Sequence, residues 1–174
     1  DELVALLLED DLAGLADRIR GDGEAFGRSD GGAGTAVMVE YVSANPTGPL
    51  NIVSARAAAV GATLVRLLAA TGHDVAGEFY VNDAGNQVDL LGESLRVRFA
   101  QRIGRPMELP ENGYQGAYLV ELAAQLPEAE GGAALDREGG RDWFRDQALA
   151  RMVASQQRDL ADYGASFDRW FRES

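Results

Sequence analysis

Hydrophobic positions along the chain follow two different periods, and the boundaries between them mark the elements. Over residues 2–20, Leu8, Leu12, Leu15 and Ile19 recur at helical spacing, and Gly21 and Gly23 end the pattern. Residues 21–35 are rich in glycine, aspartate and serine and read as a linker. The run Gly31-Gly32-Ala33-Gly34 has the composition of a phosphate loop. It precedes a strand, however, whereas dinucleotide-binding glycines follow a strand and open a helix, which favours the linker. Ala36–Val42 is β-branched and bounded by turn formers, as a strand should be. The turn Ser43-Ala44-Asn45-Pro46-Thr47-Gly48-Pro49 is stiffened by prolines at 46 and 49, with Gly48 between them. A helix over Ile52–Ala70 follows, with Leu64, Leu67 and Leu68 on one face and Thr71-Gly72 as its stop. Val75–Val81 is a second strand.

Strand, loop, helix and strand within about 45 residues form a βαβ unit, which crosses over right-handedly and gives parallel strands. The predicted fold is therefore α/β, a Rossmann-like, doubly wound parallel sheet with added helices. In such sheets ligands sit beyond the carboxyl ends of the strands. That rule marks the loop 43–51 and the turn at Asn82-Asp83 as the ligand edge. Further along, the pattern predicts a helix from about Asn82 to Ile103, a loop over 109–116 and a short helix over 117–126. Residues 127–140 are polar and glycine-rich and read as a mobile loop. Residues 141–163 form a long amphipathic helix burying Phe144, Ala148, Met152 and Leu160, and 167–171 a short strand at an edge or junction. The organisation is then 1–35 helix and linker, 36–104 nucleotide- and amino-acid-binding core, and 105–174 helical extension.

Composition narrows the chemistry. The 174 residues are 46% hydrophobic, enough for one core. There is no cysteine, so disulfides and thiolate zinc sites are excluded, and no metal site is expected. All 16 basic residues are arginine, and the net charge of −12 disfavours free-standing nucleic-acid binding. Without lysine there is no P-loop phosphate grip. The longest apolar stretch, around Leu64–Ala70, is interrupted by Arg66, so no membrane span, no secretory signal and a cytoplasmic location are expected.

Read from the residues alone, the loop into the second helix has two interpretations. The helix start could present free N–H groups and a positive dipole end to an anion. Equally, it is an ordinary turn with Asn51 or Ser54 as N-cap. Asn82, Asp83 and Asn86 could likewise cap a helix or touch a ligand. His73, just past Gly72, is placed to bond the terminal carbonyls. Asp136, Glu138 and Asp142 read as a solvated loop before a cation site, and Trp143, Phe144, Trp170 and Phe171 as packing residues.

The segment Val39-Glu40-Tyr41-Val42-Ser43-Ala44-Asn45-Pro46-Thr47-Gly48-Pro49-Leu50 resembles the class I arginyl-tRNA synthetase segment that leads into the His-Ile-Gly-His signature. Phe79-Tyr80-Val81-Asn82-Asp83-Ala84-Gly85-Asn86-Gln87 is similar to a second landmark of that family. Leu109–Tyr114 and Phe167–Glu173 also fit, in order. The resemblance implies a class I synthetase-type domain, in part, using arginine, ATP and tRNA. Glu40 would hold the substrate guanidinium, and Ser43 and Asn45 would contact the amino-acid backbone. Pro46, Thr47, Gly48, Pro49 and Val53 would border the nucleotide. The two signature histidines fall at Asn51 and Ser54 and the glycine at Val53, so the catalytic pair is substituted. Neither replacement becomes a cation at neutral pH, and Val53 is branched where a flat ring would lie. Losing one transition-state donor costs roughly 3–4 kcal/mol, and losing two slows activation by about 10⁴-fold or more. The lysine-rich second signature and the anticodon-binding helices have no counterpart here. The expectation is a fragment or shortened paralogue with impaired or absent aminoacylation, no tightly bound cofactor, and tRNA contact only through further domains. The alternatives are a non-catalytic arginine-binding or protein-partner-binding module, or a stand-alone enzyme with a repurposed pocket.

Overall fold

The computed structural model describes residues 12–174. In chain order these form helix α1 (Leu12–Asp22), a short 3-10 turn (Gly23–Ala25), strand β1 (Ala36–Glu40), helix α2 (Ile52–Ala70), strand β2 (Asp74–Val81), helix α3 (Asn86–Arg102), α4 (Ala117–Gln125), α5 (Glu128–Asp136), α6 (Gly140–Asp162) and strand β3 (Arg169–Arg172). Among these residues the sheet has three strands in the order β1-β2-β3. β3 runs parallel to β2, pairing Glu78 with Arg169 and Val81 with Arg172. β1 is parallel as well: Asp74 N–H donates to Thr35 O at its start, and Tyr41 N–H to Glu78 O at its end. The α/β, Rossmann-like expectation holds, and the closing short strand is an edge of the sheet.

The chain forms two compact units. One holds residues up to Val37 together with Arg66–Val75. In it the glycine-rich stretch is tied down by main-chain bonds: Ser29, Gly32 and Gly34 donate to Ala70, Thr71 and Gly72 carbonyls at 2.7–3.0 Å. Those N–H groups are consumed, so the run is not a phosphate cradle. Gly72 ends α2 in a Schellman motif, its N–H on Ala69 O and the N–H of His73 on Leu68 O. His73 Nδ1 lies 3.0 Å from Thr71 Oγ1 and 3.2 Å from Leu68 O, as predicted for a capping residue. Leu8 of the first predicted helix falls outside the described residues, and Ile19 is exposed rather than buried.

The second unit comprises Met38–Val65 and Ala76–Ser174. One of its cores joins Tyr41, Phe79 and Val81 of the sheet end to Ala58 and Ala62 of α2 and to Val153 and Leu160 of α6. The other joins Leu91, Leu95 and Phe99 of α3 to Leu119 of α4 and to Phe144, Ala148 and Met152 of α6. Helix α6 serves both, which is why its predicted apolar stripe is buried along its length.

Three expectations are corrected. Residues 128–136 form a helix rather than a mobile loop. Gly131 there is a packing site: a Cβ on it would meet the Phe99 ring at 2.3 Å. Leu64 and Leu67 of α2 are exposed, because the side facing the sheet is lined by Ala58, Gly61 and Ala62. A Cβ on Gly61 would lie 2.2 Å from the Tyr41 ring, so a small residue there lets helix and strand approach closely. Finally, α2, with 19 residues, is by length and composition apolar enough to cross a membrane. An uninterrupted run could not show this, since Arg56 and Arg66 break the sequence but not the helix. Each arginine would cost about 2.5–3.5 kcal/mol at a bilayer centre, and the helix packs its small residues into the core instead.

Candidate functional site

β1 ends in a strained turn. Ser43 N–H donates to Tyr41 O at 2.9 Å, closing a three-residue turn around Val42. Val42 and Ser43 have φ of 67° and 41°. Left-handed backbone is unfavourable for a β-branched residue, costing of order 1–3 kcal/mol. The surroundings hold it in place. Tyr41 stacks on Phe167 with ring centroids 4.3 Å apart, and its hydroxyl donates to Ser166 O at 2.6 Å. Ser43 Oγ accepts Tyr80 N–H at 3.1 Å, which ties the turn to β2.

Beyond the turn, two helices hold the loop by its carbonyls and a third by the Asn45 side chain. Gln156 Nε2 of α6 donates to Asn45 O at 3.1 Å and Gly48 O at 3.3 Å. Tyr118 of α4 donates to Thr47 O at 2.7 Å. Asn45 Nδ2 donates to Gln87 Oε1 of α3 at 2.9 Å. Pro46 is fully buried. Sequence reasoning missed these supports, yet one signal was available. Gln156 occupies the apolar i, i+4 series Phe144-Ala148-Met152-Gln156-Leu160, and a buried amide requires partners.

The start of α2 resolves the choice between cap and anion site in favour of the cap. Asn51 Oδ1 accepts Val53 N–H at 2.9 Å and Ser54 N–H at 3.1 Å, with Ser54 Oγ at 3.5 Å. Asn51 O takes Ala55 N–H at 3.0 Å. Two of the donors that a helix N-terminus would offer a phosphate, the Val53 and Ser54 amides, are therefore engaged by Asn51 itself. Val53 is exposed beside them.

The end of β2 has the opposite character. Asp83 N–H donates to Val81 O at 3.0 Å, forming a second three-residue turn. The Asp83 carboxylate is buried and accepts Ser174 N–H (3.0 Å), Ser174 Oγ (2.9 Å) and Arg172 Nη1 (3.4 Å). Burial alone would raise its pKa, but the bonds from Ser174 and the charge of Arg172 bring it below the usual carboxylate range. Asp83 is thus no helix cap: α3 starts at Gly85 without a side-chain cap bond. In the amide orientation that satisfies both its ends, Asn82 donates to Glu173 Oε2 at 2.8 Å and Ala84 O at 3.3 Å. Loss of solvation raises the Tyr80 hydroxyl pKa, and the carboxylates of Glu173, Asp83 and Glu40 raise it further. Three carboxylates therefore bear on one phenol at the carboxyl ends of two adjacent strands.

Among the predicted site residues, Ser43, Asn45, Pro46, Thr47 and Gly48 lie in one braced loop, Asn51, Val53 and Ser54 at the helix start that follows, and Pro49 exposed between them. Glu40 is exposed, and burial alternates along β1, so it shares a sheet face with Ala36 and Met38 and not with Tyr41. No described contact links it to the loop. Five cavities of about 370–530 Å³ are lined by other residues, although one includes Asp83 and Arg172. No group of three or more metal-ligating side chains occurs among the described residues. Asp136 forms a two-bonded ion pair with Arg105, at 2.6 and 2.9 Å. Trp143, Phe144 and Trp170 pack against the cores, while Phe171 stacks on Tyr80 on the open face of the sheet.

A parallel sheet with a braced loop and a polar turn at its carboxyl edge defines a Rossmann-like α/β domain. No family model matches the sequence. The arginine–tRNA ligase of Oceanobacillus iheyensis is 41% identical over 167 residues, 95% of this chain and 30% of that protein. That of Nitratidesulfovibrio vulgaris is 47% identical over 152 residues, 87% of this chain and 28% of that protein. A crystal structure from Campylobacter jejuni assigned as an arginyl-tRNA synthetase superposes with a TM-score of 0.80 at 34% identity, covering 92% of this chain and 35% of that one. Thermus thermophilus arginyl-tRNA synthetase shares the fold, with a TM-score of 0.50 at 21% identity. The chain is a homologue of a segment of the arginyl-tRNA synthetases, and it spans about 30% of the length of the curated relatives it matches.

Proposed function

We propose that this chain supplies the arginine-recognising part of a class I synthetase-type domain and does not itself activate arginine efficiently with ATP. The observation that carries this reading is the exposed Glu40 carboxylate at the carboxyl end of β1, which with Glu173 and the already bonded Asp83 raises the pKa of the Tyr80 hydroxyl on the adjacent strand. Such an edge suits a guanidinium, which binds carboxylates through charge-assisted hydrogen bonds. Glu40, exposed and without an ion pair among the described residues, is the carboxylate offered to it. Ser43 uses its oxygen on Tyr80 N–H and keeps its hydroxyl hydrogen to donate. Asn45 gives its amide nitrogen to Gln87 and keeps Oδ1 to accept. These two suit the carboxylate and ammonium of an amino acid.

The residues at the start of α2 do not fit a nucleotide. In the family pattern, Asn51 and Ser54 stand where two histidines would act on phosphates, and Val53 where a glycine would let a ring approach. Asn51 Oδ1 instead bonds the Val53 and Ser54 amides, and Val53 projects a branched side chain. This is the reason for reading the signature as degenerate and the adenylation step as impaired. Transfer of arginine to tRNA would belong to a longer polypeptide, one carrying the regions of the relatives that this chain does not match.

Titration calorimetry with arginine, citrulline and ATP tests the proposal. Arginine is expected to bind, citrulline (neutral at the same atoms) at least about 10-fold more weakly, and ATP to leave the arginine isotherm unchanged. Glu40→Gln should reduce arginine affinity by a similar factor. A folded chain giving no heat with arginine, or equal heat with citrulline, would overturn it.

A further inference from the structure

The register of the sheet sets three charged residues in one row. Tyr41 N–H donates to Glu78 O, which in a parallel pair matches Tyr41 with Phe79 and therefore Glu40 with Glu78. Glu78 is matched on its other side with Arg169 of β3. Tyr41 and Phe79 point into the core, and Trp170 stacks on Phe79 there. By the alternation of a strand, their neighbours Glu40, Glu78 and Arg169 all turn to the opposite face. The two carboxylate-bearing residues thus stand about 4.8 Å apart, one strand spacing, with a guanidinium beyond the second.

The middle residue of the row is poorly served. Glu78 is only 7% exposed, and its Oε2 accepts no hydrogen bond. Arg169 Nε approaches that oxygen at 3.3 Å, near enough for charge attraction but without the alignment of a hydrogen bond. The Arg169 guanidinium lies over the Phe171 ring, 4.8 Å from its centroid, and its side chain is 62% exposed. A buried carboxylate with so loose a partner leaves acceptor capacity unused, which is costly away from water.

We propose that Glu78 is a second carboxylate of the guanidinium site and that Arg169 is its internal competitor: the chain's own guanidinium covers Glu78 until a ligand's displaces it, entering between Glu78 and Glu40. This role rests on arginine being the ligand, as proposed above, and adds the residue that sets its affinity. A guanidinium presents a rigid, planar fork of N–H donors, which can serve a carboxylate on each side. Arg169 meets Glu78 from a side chain resting on Phe171, whereas a free ligand orients itself to both acceptors. The exchange therefore favours a ligand that uses both carboxylates. It disfavours an ammonium, which has no fork with which to outcompete Arg169.

The test titrates arginine calorimetrically into the wild-type chain, Arg169→Gln, Glu78→Gln and the double variant. Arg169→Gln is expected to bind arginine about 10-fold more tightly than wild type, the scale of one hydrogen bond to a charged group. The gain should vanish in the Glu78→Gln background, which separates lost competition from a general change of charge. Arg169→Lys keeps a cation over Glu78 and should stay near wild type. A purely structural Arg169–Glu78 pair predicts the reverse: weaker binding in Arg169→Gln together with a lower melting temperature. In the unsubstituted chain, the Arg169 Nε–H resonance should shift on addition of arginine and not of lysine, a readout that needs no variant to fold. Equal affinity of wild type and Arg169→Gln, a gain that survives Glu78→Gln, or an unmoved resonance in the presence of bound arginine overturns the competitor and leaves arginine recognition by Glu40 standing. Absence of arginine binding to both wild type and Arg169→Gln overturns the arginine reading, and the role of Glu78 with it.

Discussion

The ends of β1 and β2 lie side by side and carry opposite solutions to the same problem. Both strands stop in a three-residue turn, at Val42 and at Asn82. After β1 the loop is braced through its carbonyls, and the following helix is closed by its own Asn51. After β2 the helix has no side-chain cap, and the carboxylates are left to bear on Tyr80. One end is held through neutral donors, while the other is held through the buried carboxylate of Asp83.

The braced end depends first on close packing. Gly61→Val would drive a branched side chain into the Tyr41 ring, which a Cβ alone already meets at 2.2 Å. Overpacking of this kind costs about 1–3 kcal/mol and occasionally more, and this contact belongs at the upper end because Tyr41 also stacks on Phe167 and bonds Ser166 O. Denaturant unfolding should show a fall of about 3 kcal/mol, the largest single-site effect in the unit. An unchanged midpoint would mean that α2 and β1 are further apart than described.

Gln156→Ala comes next. It removes both donors to the loop carbonyls and leaves Asn45 O and Gly48 O in a dry environment. About 1–3 kcal/mol is expected. Exchange of loop amides should rise with it, whereas amides near Asp83 should be unaffected. If both ends loosen together, the two are one cooperative unit and the contrast between them fails.

Asn51→Ala isolates the helix start. Losing the cap should cost about 1 kcal/mol and expose the Val53 and Ser54 amides. Asn51→Asp keeps the acceptor and should hold or raise stability near a positive dipole end. If anion affinity, measured with inorganic pyrophosphate, rises in the alanine variant but not in the aspartate one, the native asparagine is what closes this end.

The βαβ core was legible in the sequence because its signals are local. Pro46, Gly48 and Pro49 mark the turn, and Ile52–Ala70 matches its predicted span. The rest depended on tertiary contact. Glycine and alanine over 128–136 read as loop until Phe99 is seen against Gly131. The leucines of α2 read as its apolar side, but the sheet takes only Ala58, Gly61 and Ala62. Capping by Asn51 was visible as one of two options, and only geometry chooses between them. Gln156 and Tyr118 lie more than 70 positions from the loop they hold, so no local pattern names that loop as their partner.

The smallest effect probes the charged end through pH. Asp83 has its folded-state pKa lowered, burial being outweighed by the Ser174 hydrogen bonds and Arg172. A depressed folded pKa means that the unfolded chain binds the proton more readily. Its stabilising contribution is therefore complete above the unfolded value, about 3.9, and is lost as pH falls through the lower folded value. Asp83→Asn removes that term, so the difference in stability between wild type and variant at pH 6 should shrink as pH falls below about 3.9. Loop-directed variants such as Gln156→Ala should show a difference that does not change with pH. A constant gap for Asp83→Asn across the same range would mean that its carboxylate is not held in the charged form, and the contrast with the neutrally bonded end of β1 would lose its support.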